Sequence, residues 1–95
     1  MAHTELFSHQ KNDGRGSVMT VGNTIAVYAL TLEGLLDKGF CNILVDIAAA
    51  GTYTSAGSLS DAEPAKLIML PAGAKCTAQL SGATPLTDIS VKIAS

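Results

Sequence analysis

The sequence predicts an all-β protein: a small antiparallel β-sandwich or barrel, of jelly-roll or immunoglobulin-like type, with an extended N-terminal arm. Three observations support this prediction. Short apolar runs recur about every ten residues, separated by Gly, Pro, Ser, Thr and Asp. No stretch has the period of an amphipathic helix, which excludes parallel βαβ units. The first sixteen residues are polar and lack a sustained apolar period.

The N-terminal segment, residues 1–16, is predicted to be a loose arm in front of a β-domain formed by residues 17–95. The arm holds both histidines of the chain. Leu6 and Phe7 stand out in it, because no core period includes them. We expect this pair to anchor in a groove on another subunit or to add a strand to the edge of a neighbour's sheet. The alternative is a terminus that folds back on its own domain.

The domain begins with two extended runs, 17–21 and 24–32, separated by Gly22-Asn23. Two such runs around Gly-Asn predict a tight hairpin with a primed turn. The second run is apolar on both faces, which predicts that both faces are covered. Residues 33–39 are predicted to be a connector, with at most one helical turn that ends at Gly39.

The rest of the chain is predicted to form further short strands. A strand at 40–48 is expected to turn alternate residues from Cys41 to Ile47 to one face, and the segment that follows it is predicted to be mainly loop. Alternation is clearest near the C-terminus, where every second residue is apolar. The predicted elements are strands at 40–48, 66–70, 75–81 and 88–94, and a loop at 49–64 with a possible short strand near 51–55.

Composition limits the classes of function. The chain has 95 residues, enough for one domain, and 15% of them are charged, against about 25% in an average soluble domain. The six basic residues are scattered and the net charge is −2, so no basic patch for nucleic acid is predicted. No apolar run reaches the roughly 18 residues of a membrane span, and the polar start does not resemble a signal peptide. We therefore expect synthesis in a cytoplasm.

The inventory of reactive side chains predicts neither an enzyme nor a metal or cofactor site. The domain from residue 17 onward contains no histidine, so a nucleophile there would lack its usual base. The carboxylates do not cluster, and the nearest pair, Asp61 and Glu63, falls in a loop. Cys41 and Cys76 are interpreted as two buried thiols, with a disulfide between neighbouring strands as the alternative.

With no catalytic, metal or cofactor site predicted, the surface of the domain is the remaining candidate for function. Apolar residues at outward positions are expected to form a contact patch, unless both sheets of the sandwich cover them; these are Tyr28, Leu30, Leu32, Leu44 and Leu59. Combined with the apolar pair of the arm, they give the candidate partner-binding residues Leu6, Phe7, Tyr28, Leu30 and Leu44.

The layout of the whole chain resembles small bacteriophage capsid decoration (cement) proteins. The resemblance lies in the short arm, the compact β-domain, the low charge, the Ala/Gly/Thr richness and turns such as Leu70-Pro71-Ala72-Gly73. It implies a virion protein on the capsid surface that binds the major capsid protein through its arm and forms a homo-oligomer, with a trimer favoured and a dimer possible. The alternative is a phage tail, fibre or host-binding β-module, which would need exposed aromatic residues; only Tyr53 in the predicted loop is suitable.

Overall fold

Strands account for all the regular secondary structure in a computed structural model that describes residues 3–48 and 50–94. Within these ranges there is no α-helix, and hence none with the length and apolarity that crossing a bilayer would require. Every strand pairing is antiparallel. The strands are β1 (His3–Gln10), β2 (Gly14–Arg15), β3 (Met19–Thr20), β4 (Ala26–Leu35), β5 (Phe40–Asp46), β6 (Thr54–Leu59), β7 (Ala65–Leu70), β8 (Lys75–Ser81) and β9 (Asp88–Ala94).

The strands form two sheets with the connectivity of a jelly roll. Sheet A has the order β1-β9-β4-β7, and sheet B has the order β2-β8-β5-β6, with β3 following β2 along the same edge of β8. If β2 and β3 are counted as one interrupted strand, eight strands form two four-stranded sheets, as in double-sheet jelly rolls. The predicted all-β sandwich is therefore confirmed, and the strand order selects the jelly roll over the immunoglobulin-like arrangement.

The core lies between the sheets, where the alternating strands point their apolar residues. Strands β5, β8 and β9 bury the faces that the sequence predicted, apart from Ile47; the buried residues are Cys41, Ile43, Val45, Cys76, Ala78, Leu80, Ile89, Val91 and Ile93. Ile47, predicted on the same face as Cys41, is 51% exposed because β5 ends at Asp46. The molecule measures 40 × 28 × 19 Å, and its shortest dimension fits two layers about 10 Å apart. Both cysteines are buried and free, which confirms the interpretation as separate thiols. They do not face each other, since Cys41 pairs with Leu80 and Cys76 with Val45.

The prediction of a loose N-terminal arm is corrected by the structure. Residues 3–10 form β1, an edge strand of sheet A that pairs with β9. Leu6 and Phe7 are only 2% and 3% exposed, and both belong to the core. A β-bulge explains how adjacent residues can both point inward, because Glu5 pairs with Lys92 and Phe7 with Val91, so that two residues oppose one. The terminus thus folds back on its own domain.

The predicted hairpin around Gly22-Asn23 is wrong. The strand before it, β3, pairs with β8 in sheet B, whereas β4 pairs with β7 and β9 in sheet A. The Gly-Asn segment is a crossing between sheets, held where the Val21 N–H donates to the Ala74 carbonyl at 2.8 Å. A local turn signal did not specify a hairpin here, because longer-range pairing with β8 determines where the first strand lies.

Two further boundaries differ from the sequence prediction. Strand β4 continues to Leu35, and the connector shortens to a turn in which the Gly39 N–H donates to the Leu36 carbonyl at 2.8 Å. The segment predicted to be mainly loop contains β6 over Thr54–Leu59. Its Ala, Gly and Ser residues obscure the strand in the sequence, but Leu59 is fully buried and ties it to the core.

Candidate interaction surfaces

The five residues predicted to bind a partner do not form an exposed patch. Leu6, Phe7 and Leu30 are in the core, and Leu44 is 8% exposed on the outer face of sheet B. Tyr28 is half-buried and packs against the core. The prediction that these five residues form an exposed patch is therefore wrong. Their contact with a partner stays a prediction, because the structure holds a single chain. The sequence assigned the two faces of β4 correctly but took the inward face for a contact surface.

The outward face of β4 carries the exposed apolar residues that the sequence prediction missed. Ile25 and Val27 are 62% and 50% exposed, and on the neighbouring strand Leu67 and Met69 are 71% and 64% exposed. A signal was present, since this face of β4 continues as Ala29, Thr31 and Glu33, a typical solvent-facing series. We call these four residues, Ile25, Val27, Leu67 and Met69, the β4–β7 face.

The β4–β7 face is contiguous because of the strand register. Val27 pairs with Met69, and the next outward pair along the strands is Ala29 with Leu67. Directly paired side chains on one face of a sheet lie about 5 Å apart, so these side chains contact each other. Ile25 immediately precedes β4, two positions from Val27. The result is an apolar surface at one end of sheet A, next to the edge strand β7.

A second exposed apolar group lies at the opposite end of β4. Leu35, Phe40 and Leu86 are 45%, 51% and 66% exposed; Leu35 and Phe40 flank the turn 36–39, and Leu86 lies within the turn 82–87. We call these three residues the loop-end group. Leu35 pairs with Asp88, close to Leu86 along the chain, and Phe40 pairs with Ser81. The register thus places all three at the same end of the sandwich.

Side-chain hydrogen bonds hold the two turns together and keep the loop-end group in place. The buried Thr87 hydroxyl donates to the Leu36 carbonyl at 2.9 Å, and the Thr84 hydroxyl donates to Asp37 Oδ2 at 2.6 Å. The Asp61 carboxylate accepts the Leu36 N–H at 3.0 Å and the Asp37 N–H at 3.2 Å. Asp61, considered in the sequence as one of a carboxylate pair, therefore supports a turn.

A cleft of about 640 Å³, lined mostly by polar residues, lies on the outer face of β1, β9 and β4 and reaches Leu35 of the loop-end group. His9 Nδ1 lies 3.2 Å from Asp88 Oδ1, and its backbone N–H donates to Ser90 Oγ at 3.1 Å. Lys92 Nζ lies 3.2 Å from Glu33 Oε1. The cleft is lined by Glu5, Ser8, His9, Glu33, Gly34, Leu35, Asp88, Ser90 and Lys92.

The ion pair between His9 and Asp88 in this cleft is largely exposed to water. The side chains of His9 and Asp88 are 78% and 44% exposed, so water screens their interaction, and exposed pairs of this kind contribute little to stability. Among the described residues, no group of three or more His, Cys, Asp or Glu is placed to hold a metal ion. The side chain of His3, the other histidine, lies outside the described part of the structure.

The outer face of sheet B is partly covered by its own residues. The Arg15 guanidinium lies 5.1 Å from the centroid of the Tyr53 ring, a cation–π contact. Arg15 is on β2, and Tyr53 directly precedes β6 at the other side of the sheet, so the contact passes over β8 and β5. Tyr53, the aromatic residue suited to a host-binding module, is therefore half-buried beneath a cation of its own chain.

The two thiols are shielded from solution chemistry. Cys41 and Cys76 have no exposed surface, and burial raises the pKa of each thiol to about 11. A thiol is nucleophilic only as the thiolate, which burial in an apolar core disfavours. Both cysteines therefore act as small core side chains.

Comparison with known proteins supplies no relative from which a function could be inferred, so the fold and these surfaces are the basis for assigning one. No protein-family model, curated protein or solved structure matches this chain.

Proposed function

We propose that this protein is a structural virion protein, a capsid decoration or cement protein that binds the outer shell and stabilises the joints between capsomers. The observation that supports this proposal best is the pair of exposed apolar groups at opposite ends of β4. Val27 in the β4–β7 face and Leu35 in the loop-end group are eight residues apart, which corresponds to about 26 Å along a strand. A protein that fastens neighbours together needs two separate contact surfaces.

The fold and composition are consistent with this role. Double-sheet jelly rolls recur in viral capsid proteins and also in lectins, so the fold supports the proposal by analogy only. Nine large apolar residues are exposed within the described ranges 3–48 and 50–94, and only 15% of the chain is charged. Surfaces of this kind mark protein contacts when the apolar residues are contiguous.

The mechanism follows from mass action. A protein that binds the assembled shell, and not its dissociated subunits, stabilises the shell by an amount that grows with the ratio of free concentration to dissociation constant. Each contact is small, but many copies on one shell add their contributions, and two contacts per molecule increase the effective affinity. The loop-end group is assigned to the shell, because the hydrogen bonds of its turns hold it in a fixed shape.

The test is reconstitution on shells that lack the protein. Purified protein should bind at a stoichiometric ratio to the shell subunits and raise the melting temperature of the shells. The double variant Phe40→Asp/Leu86→Asp should bind at least tenfold more weakly, since charges at a dry contact cost about 1.4 kcal/mol or more.

Val18→Asp is the matched control, because Val18 is 48% exposed and belongs to neither apolar group. It should bind as the unmodified protein does. Shells that gain no mass and melt unchanged would disprove the proposed function, and equal binding by the double variant would disprove the assignment of the loop-end group.

A further inference from the structure

We infer that the β4–β7 face is the contact between two copies of this chain, related by a twofold axis. The inference refines the proposed function, on which it rests for the expectation that copies lie side by side on a shell. It replaces the arm-mediated contact expected from the sequence, because Leu6 and Phe7 are occupied in their own core.

The exposed area of the β4–β7 face matches what a stable dimer needs. Its four large side chains are 50–71% exposed, which leaves roughly 500 Å² of mostly apolar surface. A standard interface buries about 800 Å² per partner, of which about 65% is apolar in homodimers, and this share also comes to roughly 500 Å². The remaining area would come from the residues that border the face.

The shape of the face suits packing against itself. The outward residues of β7 are Ala65, Leu67 and Met69, and those of β4 include Val27 and Ala29, so large side chains stand beside small ones. On a twofold axis, the large residues of one copy meet the small residues of the other and interdigitate. An isologous contact needs only one such surface per subunit. The β4–β7 face is suited to it, because the other exposed large apolar residues of the described chain lie at strand ends and in loops.

Charge also favours a second copy over a charged partner. The face itself contains no ionisable side chain. On the same outer face of sheet A, Lys92 pairs with Glu33 at 3.2 Å, and Glu5 lies opposite Lys92 in the register of β1 with β9. None of these three charged residues belongs to the face, so two copies can meet through it without bringing like charges into the contact, and the face itself offers a charged partner no group to pair with.

The contact is expected through the face and not through the edge of β7. Lys66 points inward from this edge strand, and its side chain lies across Gly57, so closely that a Cβ there would be 2.7 Å from Lys66 Cε. An inward-pointing charge on an edge strand is a known protection against edge-to-edge sheet extension. Copies therefore meet through their sheet faces.

The experiment is sedimentation equilibrium of the full chain between about 1 and 100 µM, a range that brackets micromolar association. The unmodified protein should be a dimer in the upper part of the range. Leu67→Asp should raise the dissociation constant of the dimer at least about a hundredfold. The twofold axis brings the new aspartate of both copies into the same contact, where the two negative charges repel each other. Leu86→Asp, at a residue of similar exposure in the loop-end group, should leave the dimer unchanged.

The outcomes separate this inference from the proposed function. A monomer at 100 µM, a trimer, or a dimer unaffected by Leu67→Asp would overturn the twofold contact. Circular dichroism of each variant checks the fold; if Leu67→Asp is unfolded, Val27→Ser replaces it and must weaken the dimer. A dimer that does not bind shells supports this inference and refutes the proposed function, whereas a monomer that saturates shells does the reverse.

Discussion

The two edge strands of sheet A, β1 and β7, differ in a way that their compositions do not suggest. Strand β1 is mostly polar, yet it buries Leu6 and Phe7 almost completely. Strand β7 is mostly apolar, yet it leaves Leu67 and Met69 more than 60% exposed. The apolar content of an edge strand therefore does not indicate which of its residues are buried in the core.

Backbone geometry accounts for the difference. The bulge in β1 turns two consecutive side chains to the core, and the Ser17 N–H donates to the Leu6 carbonyl at 2.8 Å, which covers part of this edge. Strand β7 alternates regularly, so half of its six side chains face outward whatever their chemistry. The first edge belongs to the domain's own stability, and the second is available for contact.

Deletion of residues 1–10 is the strongest way to test this difference, and it should abolish cooperative folding. It removes two core side chains and the strand paired with β9, a loss comparable with the whole stability of a small domain, about 5–15 kcal/mol. Thermal unfolding followed by circular dichroism measures it. The control is Glu5→Ala/Ser8→Ala, at exposed positions of the same strand. A sharp transition at the unmodified midpoint in the deletion variant would restore the loose-arm interpretation.

Single substitutions should show the same contrast on a smaller scale. Phe7→Ala should lower the free energy of unfolding by about 3–5 kcal/mol, because it leaves a cavity in the core. Met69→Ala should change it by less than about 0.5 kcal/mol, because the side chain is exposed. Urea unfolding at a concentration where the protein is monomeric gives both values. Equal losses would mean that the two edges contribute alike.

The close approach of β1 to residues 16–17 should be sensitive to a single methyl group. A Cβ at Gly16 would overlap the Leu6 carbonyl, so Gly16→Ala must push the strand away, at a cost of about 3 kcal/mol. Gly22→Ala is the matched control, since no atom lies within 4 Å of its added Cβ. Urea midpoints decide between them, and similar midpoints for both variants would show that β1 does not need this contact.

The buried thiols should make the stability of the domain fall in alkaline solution. The folded-state pKa of Cys41 and of Cys76 is about 11, above the ordinary value of 9.0 in the unfolded chain. Their contribution is therefore complete below about pH 9 and is lost as pH rises to 11, by about 1.4 kcal/mol per thiol for each pKa unit.

Urea midpoints at pH 8, 9 and 10 measure this loss, and Cys41→Ala/Cys76→Ala should reduce the slope. A dependence of the urea midpoint on pH that is the same with and without both cysteines would show that the thiols do not cause the loss.

The thiols also report on the opening of β1. Phe7→Ala should speed the reaction of both thiols with a maleimide, because opening of β1 exposes the core, whereas Met69→Ala should not.

The sequence predicted what depends on local alternation and missed what depends on distant pairing. Strands β8 and β9 were placed with the correct faces because every second residue is apolar, whereas β6 was obscured by small residues. The Gly22-Asn23 hairpin failed because β3 finds its partner in β8, more than fifty residues away. Likewise, a bulge that buries Leu6 and Phe7 depends on the register with β9, which periodicity does not reveal.

The candidate surfaces follow the same rule. Both faces of β4 are apolar near Val27, so the sequence separated them without showing which one faces the core. The continuation into Thr31 and Glu33 carries that information, but only once the strand is known to reach Leu35. The loop-end group could not be predicted, because it brings together residues from two turns that meet only in the folded chain.

The pairing of the first strand with the last has a practical consequence. His3 lies opposite Ala94, and Ala94 in turn lies opposite Ala29, one strand away from Leu67. Residues 3 and 94 could therefore be joined by a short linker and the chain reopened in a surface loop, giving a circular permutant. A bulky domain attached next to residue 3 or residue 94 would lie beside the β4–β7 face, so such a fusion would report on that surface by obstructing it.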